Sequence, residues 1–159
     1  MGVSGCGKSV VGAALAEKWG ANFQDADVWH SAEAVAKMAA GHALTDEDRA
    51  PWLVRLREQV IAATPPEGRA VLACSALRRR YRDALRLGQE GVQFVFLSGS
   101  QALIAARMDQ RHGHYMPSKL LDSQFAALEP PGPEEAITVC IDQTVSAMVD
   151  EVLGKLPRA

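Results

Sequence analysis

The stretch Met1-Gly-Val-Ser-Gly-Cys-Gly-Lys-Ser9 decides the fold of this chain. From Gly2 onward it matches the phosphate-binding pattern GxxxxGK[ST] at every specified position. The glycines allow the backbone to curl, so that successive N–H groups face one bound anion. In this pattern Lys8 reaches the β- and γ-phosphates and the Ser9 hydroxyl ligates Mg²⁺, so we predict that ATP and Mg²⁺ bind here. The predicted nucleotide contacts are Gly2, Ser4, Gly5, Cys6, Gly7, Lys8 and Ser9.

The remainder of the 159-residue chain alternates between strand and helix patterns. We predict strands at 21–25, 69–74, 92–97 and 136–142. The run at 92–97 is almost continuously apolar, as expected when both faces of a sheet are covered. The alternation predicts one α/β domain over 1–159, with a mainly parallel sheet flanked by helices. The predicted helices span 8–19, 31–40, 45–63 with a kink at Pro51, 77–87, 100–107, 119–128 and 144–156.

One element that this architecture requires is absent from the pattern. A strand normally runs directly into the phosphate loop, and here only Met1 precedes Gly2. Without that strand, its neighbours in the sheet lose a ladder of backbone hydrogen bonds. We therefore expect that the natural protein begins upstream of Met1 with about 5–10 further, mostly apolar residues, the usual length of a strand.

The bulk properties exclude several classes of protein. A formal net charge of −2 gives no support for a nucleic-acid partner, and no run approaches the roughly 20 apolar residues of a membrane span. The three cysteines are widely separated, which favours reduced thiols and a cytoplasmic location. Cys6 lies beside Lys8 at a helix N-terminus, where a thiol becomes reactive, although a small filler residue is the favoured interpretation.

Base-reading and transporter motifs are also missing. The single asparagine, Asn22, does not belong to an NKxD-like guanine-reading motif. The stretch Leu97-Ser-Gly-Ser-Gln101 is superficially similar to a transporter ATPase signature, but no strand ending in Asp-Glu follows it. These absences favour a kinase that acts on a small molecule.

The strand at 69–74 ends without the usual metal-binding aspartate, so the acids must come from elsewhere. The best candidates are Asp25 and Asp27, which follow the preceding strand. Side chains at i and i+2 of an extended segment point the same way. We predict that Asp25 holds Mg²⁺ through water and that Asp27 faces the acceptor hydroxyl as its base. A solvated acidic turn is the alternative.

A basic segment follows the third predicted strand. Arg107 and Arg111 flank the end of a helix, and a glycine-containing loop comes next. We predict a mobile lid at about 109–118, in which Arg111 neutralises the transferring phosphoryl group while Arg107 contacts the nucleotide. The alternative is a basic surface helix.

Several longer segments resemble the gluconate kinase family, relatives of shikimate kinase. The most specific are D-x-D-R-x-P-W-L at 46–53 and C-S-A-L at 74–77. Others are D-x-D-x-x-H at 25–30, R-H-G-H at 111–114 and S-Q-F at 123–125. The resemblance implies a homodimeric P-loop kinase that converts ATP and D-gluconate into 6-phosphogluconate and ADP.

The resemblance also indicates substrate contacts. Gluconate has a carboxylate at one end and hydroxyls along its length. The hydroxyl end is assigned to Asp27 and His30. The carboxylate end is assigned to Arg49, Ser75, Arg78 and Arg82, and the sequence does not decide which arginine binds in a bidentate manner. Two alternatives stay open: another small-molecule kinase, such as a shikimate kinase, and a non-catalytic nucleotide-binding protein.

Overall fold

Two pairs of parallel strands lie at the centre of the structure, a computed structural model that describes residues 1–110 and 118–157. Strand β1 (Asn22–Asp25) pairs with β2 (Ala70–Ala73) over their full lengths. Strand β3 (Phe94–Ser98) pairs in the same way with β4 (Ala136–Cys140). The predicted α/β class with parallel strands is therefore confirmed.

Met1 lies between the two strand pairs. Its amino group donates to the Val95 carbonyl at 2.5 Å, and its own carbonyl accepts from Leu97 N at 2.9 Å. On the other side, Gly2 N donates to the Ser75 carbonyl at 3.2 Å. Behind Met1 the two pairs are separated by an apolar cleft with a volume of about 460 Å³. The cleft is lined by Val11, Leu15, Leu72, Phe94, Val95 and Val152, among others.

Helices cover both faces of the strands, and their bounds agree with the predicted ones to within a few residues. The predicted helix at 45–63 is an α-helix followed by a five-residue π-helical turn. A 3₁₀ turn that follows β1 was not predicted. The helices are α1 (Lys8–Trp19), α2 (Ala32–Ala39), α3 (Asp46–Leu56), α4 (Arg79–Arg86), α5 (Gln101–Asp109), α6 (Ser118–Ala127) and α7 (Val145–Lys155), with the 3₁₀ turn at Ala26–Trp29 and the π turn at Arg57–Ile61.

Local signals explain where the helices begin and end. Helix α1 ends at Gly20, whose positive φ of 68° suits glycine and whose N–H satisfies carbonyls of the last turn. Helix α3 begins with a capping box, in which the Thr45 side chain accepts from Asp48 N and the Asp48 side chain accepts from Thr45 N. The sequence predicted both of these boundaries.

Within the described part of the chain, two apolar clusters form the core, one on each face of the strands. Helices α1 and α7 enclose a cluster that includes Leu15, Val139 and Val149. Helices α3 and α4 enclose the other, which includes Trp52 and Phe96. The fully covered strands explain the unbroken apolar run in β3. No helix among the described residues is both long and apolar enough to cross a membrane.

Candidate functional site

The phosphate loop adopts a conformation that requires glycine. Gly5 has φ 80°, and a Cβ atom at this position would lie 2.6 Å from the Met108 sulfur of α5. Gly7 has φ 99° and caps the N-terminus of α1. The Lys8 ammonium folds back across the loop and donates to the Val3 carbonyl at 2.9 Å. The loop is thus closed upon itself, with the positive end of α1 directed into it.

Ser9 and Asp25 form a pair suited to Mg²⁺. The Ser9 hydroxyl donates to Asp25 Oδ2 at 2.7 Å, which joins the start of α1 to the end of β1. Mg²⁺ prefers oxygen ligands and takes few of them from protein when phosphates are present. A hydroxyl and a carboxylate in contact beside a phosphate loop fit that requirement. Among the described residues no cluster of three or more acids, histidines and cysteines forms a metal cage.

The expectation that Asp25 and Asp27 share an extended segment is wrong. Asp25 ends β1 and caps the 3₁₀ turn at Ala26–Trp29, because its Oδ1 accepts from the Asp27 backbone N–H at 3.0 Å. A short polar side chain that accepts from the backbone two residues later favours such a turn over a continued strand. Asp27 is therefore carried by the turn, with its side chain exposed.

Helix α3 holds this acidic turn from behind. The buried Trp52 indole donates to the Ala26 carbonyl at 2.8 Å, and Arg55 donates to the Trp29 carbonyl at 2.6 Å. The His30 ring stacks on Trp52, with ring centroids 4.5 Å apart and planes 12° from parallel. The tryptophan of the D-x-D-R-x-P-W-L segment thus fixes the acids, a role that sequence reasoning did not assign.

His30 lies between the acids and the arginines. Burial lowers the pKa of His30, more than the nearby Asp27 carboxylate raises it, and Arg49 lowers it further. The imidazole is therefore neutral at pH 7. Its Nδ1 is buried without a hydrogen-bond partner among the described residues. A buried nitrogen of this kind normally has a hydrogen-bond partner.

A basic cluster lies where α3 and α4 begin. Arg78 and Arg80 both pair with Asp46, and the Tyr81 hydroxyl donates to the same carboxylate. The Arg49 guanidinium carbon lies 5.7 Å from the Tyr81 ring centroid. The hydrogen bond from Tyr81, followed by the arginine charges, holds the pKa of Asp46 below its usual value. The structure therefore brings two predicted carboxylate contacts, Arg49 and Arg78, to one place.

The predicted substrate contact by Arg82 is wrong. This side chain is 1% exposed, and it forms a two-point pair with Glu135, from Nε to Oε1 at 2.5 Å and from Nη2 to Oε2 at 3.2 Å. Its Nη1 donates to the carbonyls of Ala76 and Leu77. Ala76 has φ 42°, which is strained for a residue other than glycine. Arg82 therefore holds the turn that carries Ser75.

The remaining predicted residues have mixed outcomes. Arg107 donates to the Ile141 carbonyl at 2.7 Å beyond the end of β4, so its contact with nucleotide stays a prediction. Arg111 and most of the predicted lid lie outside the described residues. Cys6 is 1% exposed, which agrees with the filler interpretation of this residue.

Gln124 of α6, which sequence reasoning did not assign to the site, contacts Ser4 of the loop.

The chain is similar to known kinases over nearly its whole length. The family model described as shikimate kinase matches residues 4–156. A probable gluconokinase from Xenopus tropicalis is 44% identical over 174 aligned residues, which cover 99% of this chain and 92% of the relative. A gluconokinase from Gluconobacter oxydans is 47% identical over 141 aligned residues, which cover 86% and 77%.

A solved structure shows the same similarity in three dimensions. The crystal structure of a gluconokinase from Sinorhizobium meliloti matches with a TM-score of 0.87 at 44% identity. The match covers 97% of this chain and 87% of that one. The resemblance indicated by the sequence motifs is confirmed.

Proposed function

The chain belongs to the gluconokinase family, within the shikimate kinase class of P-loop kinases, and we propose that it transfers the γ-phosphoryl group of ATP to the 6-hydroxyl of D-gluconate. The products are 6-phospho-D-gluconate and ADP. One observation supports this function most directly: the hydrogen bond from Ser9 to Asp25 joins the phosphate loop to the turn that carries Asp27. Donor and acceptor groups can therefore meet at that point.

On the donor side, the loop N–H groups and the Lys8 ammonium bind the phosphates and neutralise their charge. Ser9 and Asp25 would hold Mg²⁺, directly and through water. A Mg²⁺ ion held there would supply positive charge against the phosphate groups. We assign Arg111 to neutralising the charge on the transferring phosphoryl group. This assignment rests on the family resemblance.

On the acceptor side, Asp27 orients the 6-hydroxyl and takes its proton as the oxygen attacks the γ-phosphorus. The bond from that phosphorus to the bridging oxygen breaks, and ADP leaves. His30 supports the reaction because its neutral ring can hydrogen-bond to a substrate hydroxyl without adding charge. Trp52 keeps both groups in place through its hydrogen bond and its stacking.

The carboxylate of gluconate is assigned to Arg49 and Arg78. In the structure these arginines lie near Asp46, which acts as their internal counter-ion. The distance from Arg78 Nη1 to Asp46 Oδ2 is 3.9 Å, so this pair is loose. A substrate carboxylate with two-point geometry can therefore recruit Arg78 without breaking a tight contact. Ser75 lies three residues before Arg78, next to the turn that Arg82 holds.

A coupled ADP-release assay over a panel of sugar acids tests the function. The panel contains D-gluconate, its epimers and shikimate, and nucleotide binding is measured separately. Turnover confined to gluconate supports the proposal. Preferential turnover of shikimate would contradict it, and ATP binding without turnover on any acid would indicate a non-catalytic protein.

The family resemblance further supports a homodimer in the cytoplasm, which sedimentation and fractionation can test.

A further inference from the structure

One peptide group of the phosphate loop is held from both sides. The Val3 carbonyl accepts from the Lys8 ammonium at 2.9 Å. The N–H of the same peptide group, on Ser4, donates to Gln124 Oε1 at 2.6 Å. Hydrogen bonds in series through one amide polarise each other. The side chain of Gln124 is therefore linked to Lys8 by a single peptide plane.

The orientation of the Gln124 amide follows from chemistry. A backbone N–H only donates, so the atom that faces Ser4 N must be the carbonyl oxygen of the glutamine. The amide nitrogen then faces the Ser4 hydroxyl, and Nε2 donates to Oγ at 2.9 Å. Because Oγ accepts this bond, the hydroxyl hydrogen of Ser4 is left to point elsewhere. Among the described residues this hydroxyl donates to no acceptor, and it lies at the rim of a phosphate-binding loop.

Gln124 is carried by a well-anchored helix. Leu121, one turn earlier on α6, is 4% exposed and belongs to the same apolar cluster as Val3 and Cys6. Phe125 packs against that cluster, and Asp122 accepts from Gln101 of α5. A side chain on such an element keeps its position more reliably than one on a loop.

We propose that Gln124 is a positioning residue for phosphoryl transfer. It fixes the Val3–Ser4 peptide, and with it the resting place of Lys8, and it directs the Ser4 hydroxyl to donate to an oxygen of the terminal phosphoryl group. The ligand class is a nucleoside triphosphate, and the inference rests on the proposed kinase function. Gln124 itself does not touch the reacting atoms.

The test uses Gln124→Ala, Ser4→Ala and the double variant in the full chain. Gln124→Ala lowers kcat about 10–100-fold, the range for losing one hydrogen bond to a charged group. The KM for gluconate stays within twofold. The double variant is no slower than the slower single variant, because both changes remove the same hydroxyl donor. Gln124→Glu keeps the acceptor for Ser4 N–H but places negative charge beside the phosphates. Its kcat is therefore no higher than that of Gln124→Ala.

Gln101→Ala is the matched control. It removes a side-chain hydrogen bond to α6 that lies on the exposed side of the helix. Its kcat equals that of the parent, and its melting temperature changes as little as that of Gln124→Ala. A kcat of Gln124→Ala within twofold of the parent overturns the proposal. So do additive effects in the double variant, or a large loss of melting temperature with unchanged turnover per folded molecule.

Binding separates this proposal from the kinase function itself. Affinities for ADP and for a non-hydrolysable ATP analogue are measured by calorimetry, without an acceptor. In Gln124→Ala the affinity for ADP falls less than the affinity for the analogue, which binds about 10-fold more weakly than to the parent. If the parent phosphorylates no sugar acid, the proposed function fails and this comparison still decides the role of Gln124. Equal losses for both nucleotides overturn that role.

Discussion

The substitution Glu135→Gln is expected to destabilise the protein and to weaken acceptor binding. Glu135 is the only charged partner that the described residues offer the guanidinium of Arg82, and that guanidinium is almost completely buried. Removing one member of a buried pair costs about 3–5 kcal/mol. The Glu135 side chain keeps 16% exposure, so we expect a loss at the lower end, about 3 kcal/mol. For a chain of this size that lowers the melting temperature by about 6–12 °C.

Thermal unfolding followed by circular dichroism at pH 7 measures this loss. The control is Glu151→Gln, which removes a surface pair with Lys155 on α7 and changes stability by about 0.5 kcal/mol at most. If Glu135→Gln melts no lower than the control, the assignment of Arg82 as a buried structural residue is refuted. In kinetic assays the KM for gluconate rises while the KM for ATP does not, because Arg82 holds the turn at Ala76 and Leu77.

The same pair predicts a dependence of stability on pH. The hydrogen bond from Arg82 holds the pKa of Glu135 below its ordinary value of 4.5. A carboxyl whose pKa is lower in the folded state stabilises that state above the unfolded pKa, and it loses this contribution as pH falls through the folded pKa. The difference in melting temperature between parent and Glu135→Gln therefore shrinks below about pH 4.5. A constant difference down to pH 3 would contradict this.

Three further outcomes test the site and the burial of the cysteines. Asp27→Asn lowers kcat by about 10²–10⁴-fold and leaves the affinity for ATP unchanged, and near-normal turnover would exclude Asp27 as the base. Trp52→Phe keeps the stacking but loses the indole donor, so kcat falls while the affinity for ADP stays the same. Cys140 is alkylated in the folded protein, whereas Cys6 and the other buried cysteine react only on unfolding, as mass spectrometry of labelled peptides would show.

The elements were predictable because their signals are local. The phosphate loop and α1 follow from a contiguous motif, and the capping box of α3 lies within four residues. The phosphate loop follows directly on Met1, which lies between the two strand pairs. The structure shows that Met1 takes up two hydrogen bonds of β3 at this place, with the cleft behind it.

The roles of the charged residues were harder to predict, because they depend on distant partners. Four arginines, at positions 78, 79, 80 and 82, lie at the start of one basic helix, and composition does not distinguish them. Arg82 turns inward because Glu135, 53 residues away, meets it on the inner side. Arg78 and Arg80 instead meet Asp46 at the surface. Burial of a guanidinium requires a paired carboxylate. The position of that carboxylate therefore determines which arginine is buried and which arginines stay at the surface.

The geometry of the acidic turn and of the phosphate loop likewise depends on distant partners. Asp25 and Asp27 were recognised as acids, but Trp52 on another helix determines how they are presented. Lys8 was predicted from its motif. The Val3–Ser4 peptide group, which accepts a hydrogen bond from Lys8, also donates one to Gln124, 120 residues from Ser4. Motifs therefore specify which chemical groups the site contains, while contacts from α3 and α6 determine their geometry. Because these contacts depend on a few hydrogen bonds, conservative substitutions at Trp52 and Gln124 can alter the geometry without removing any reacting group.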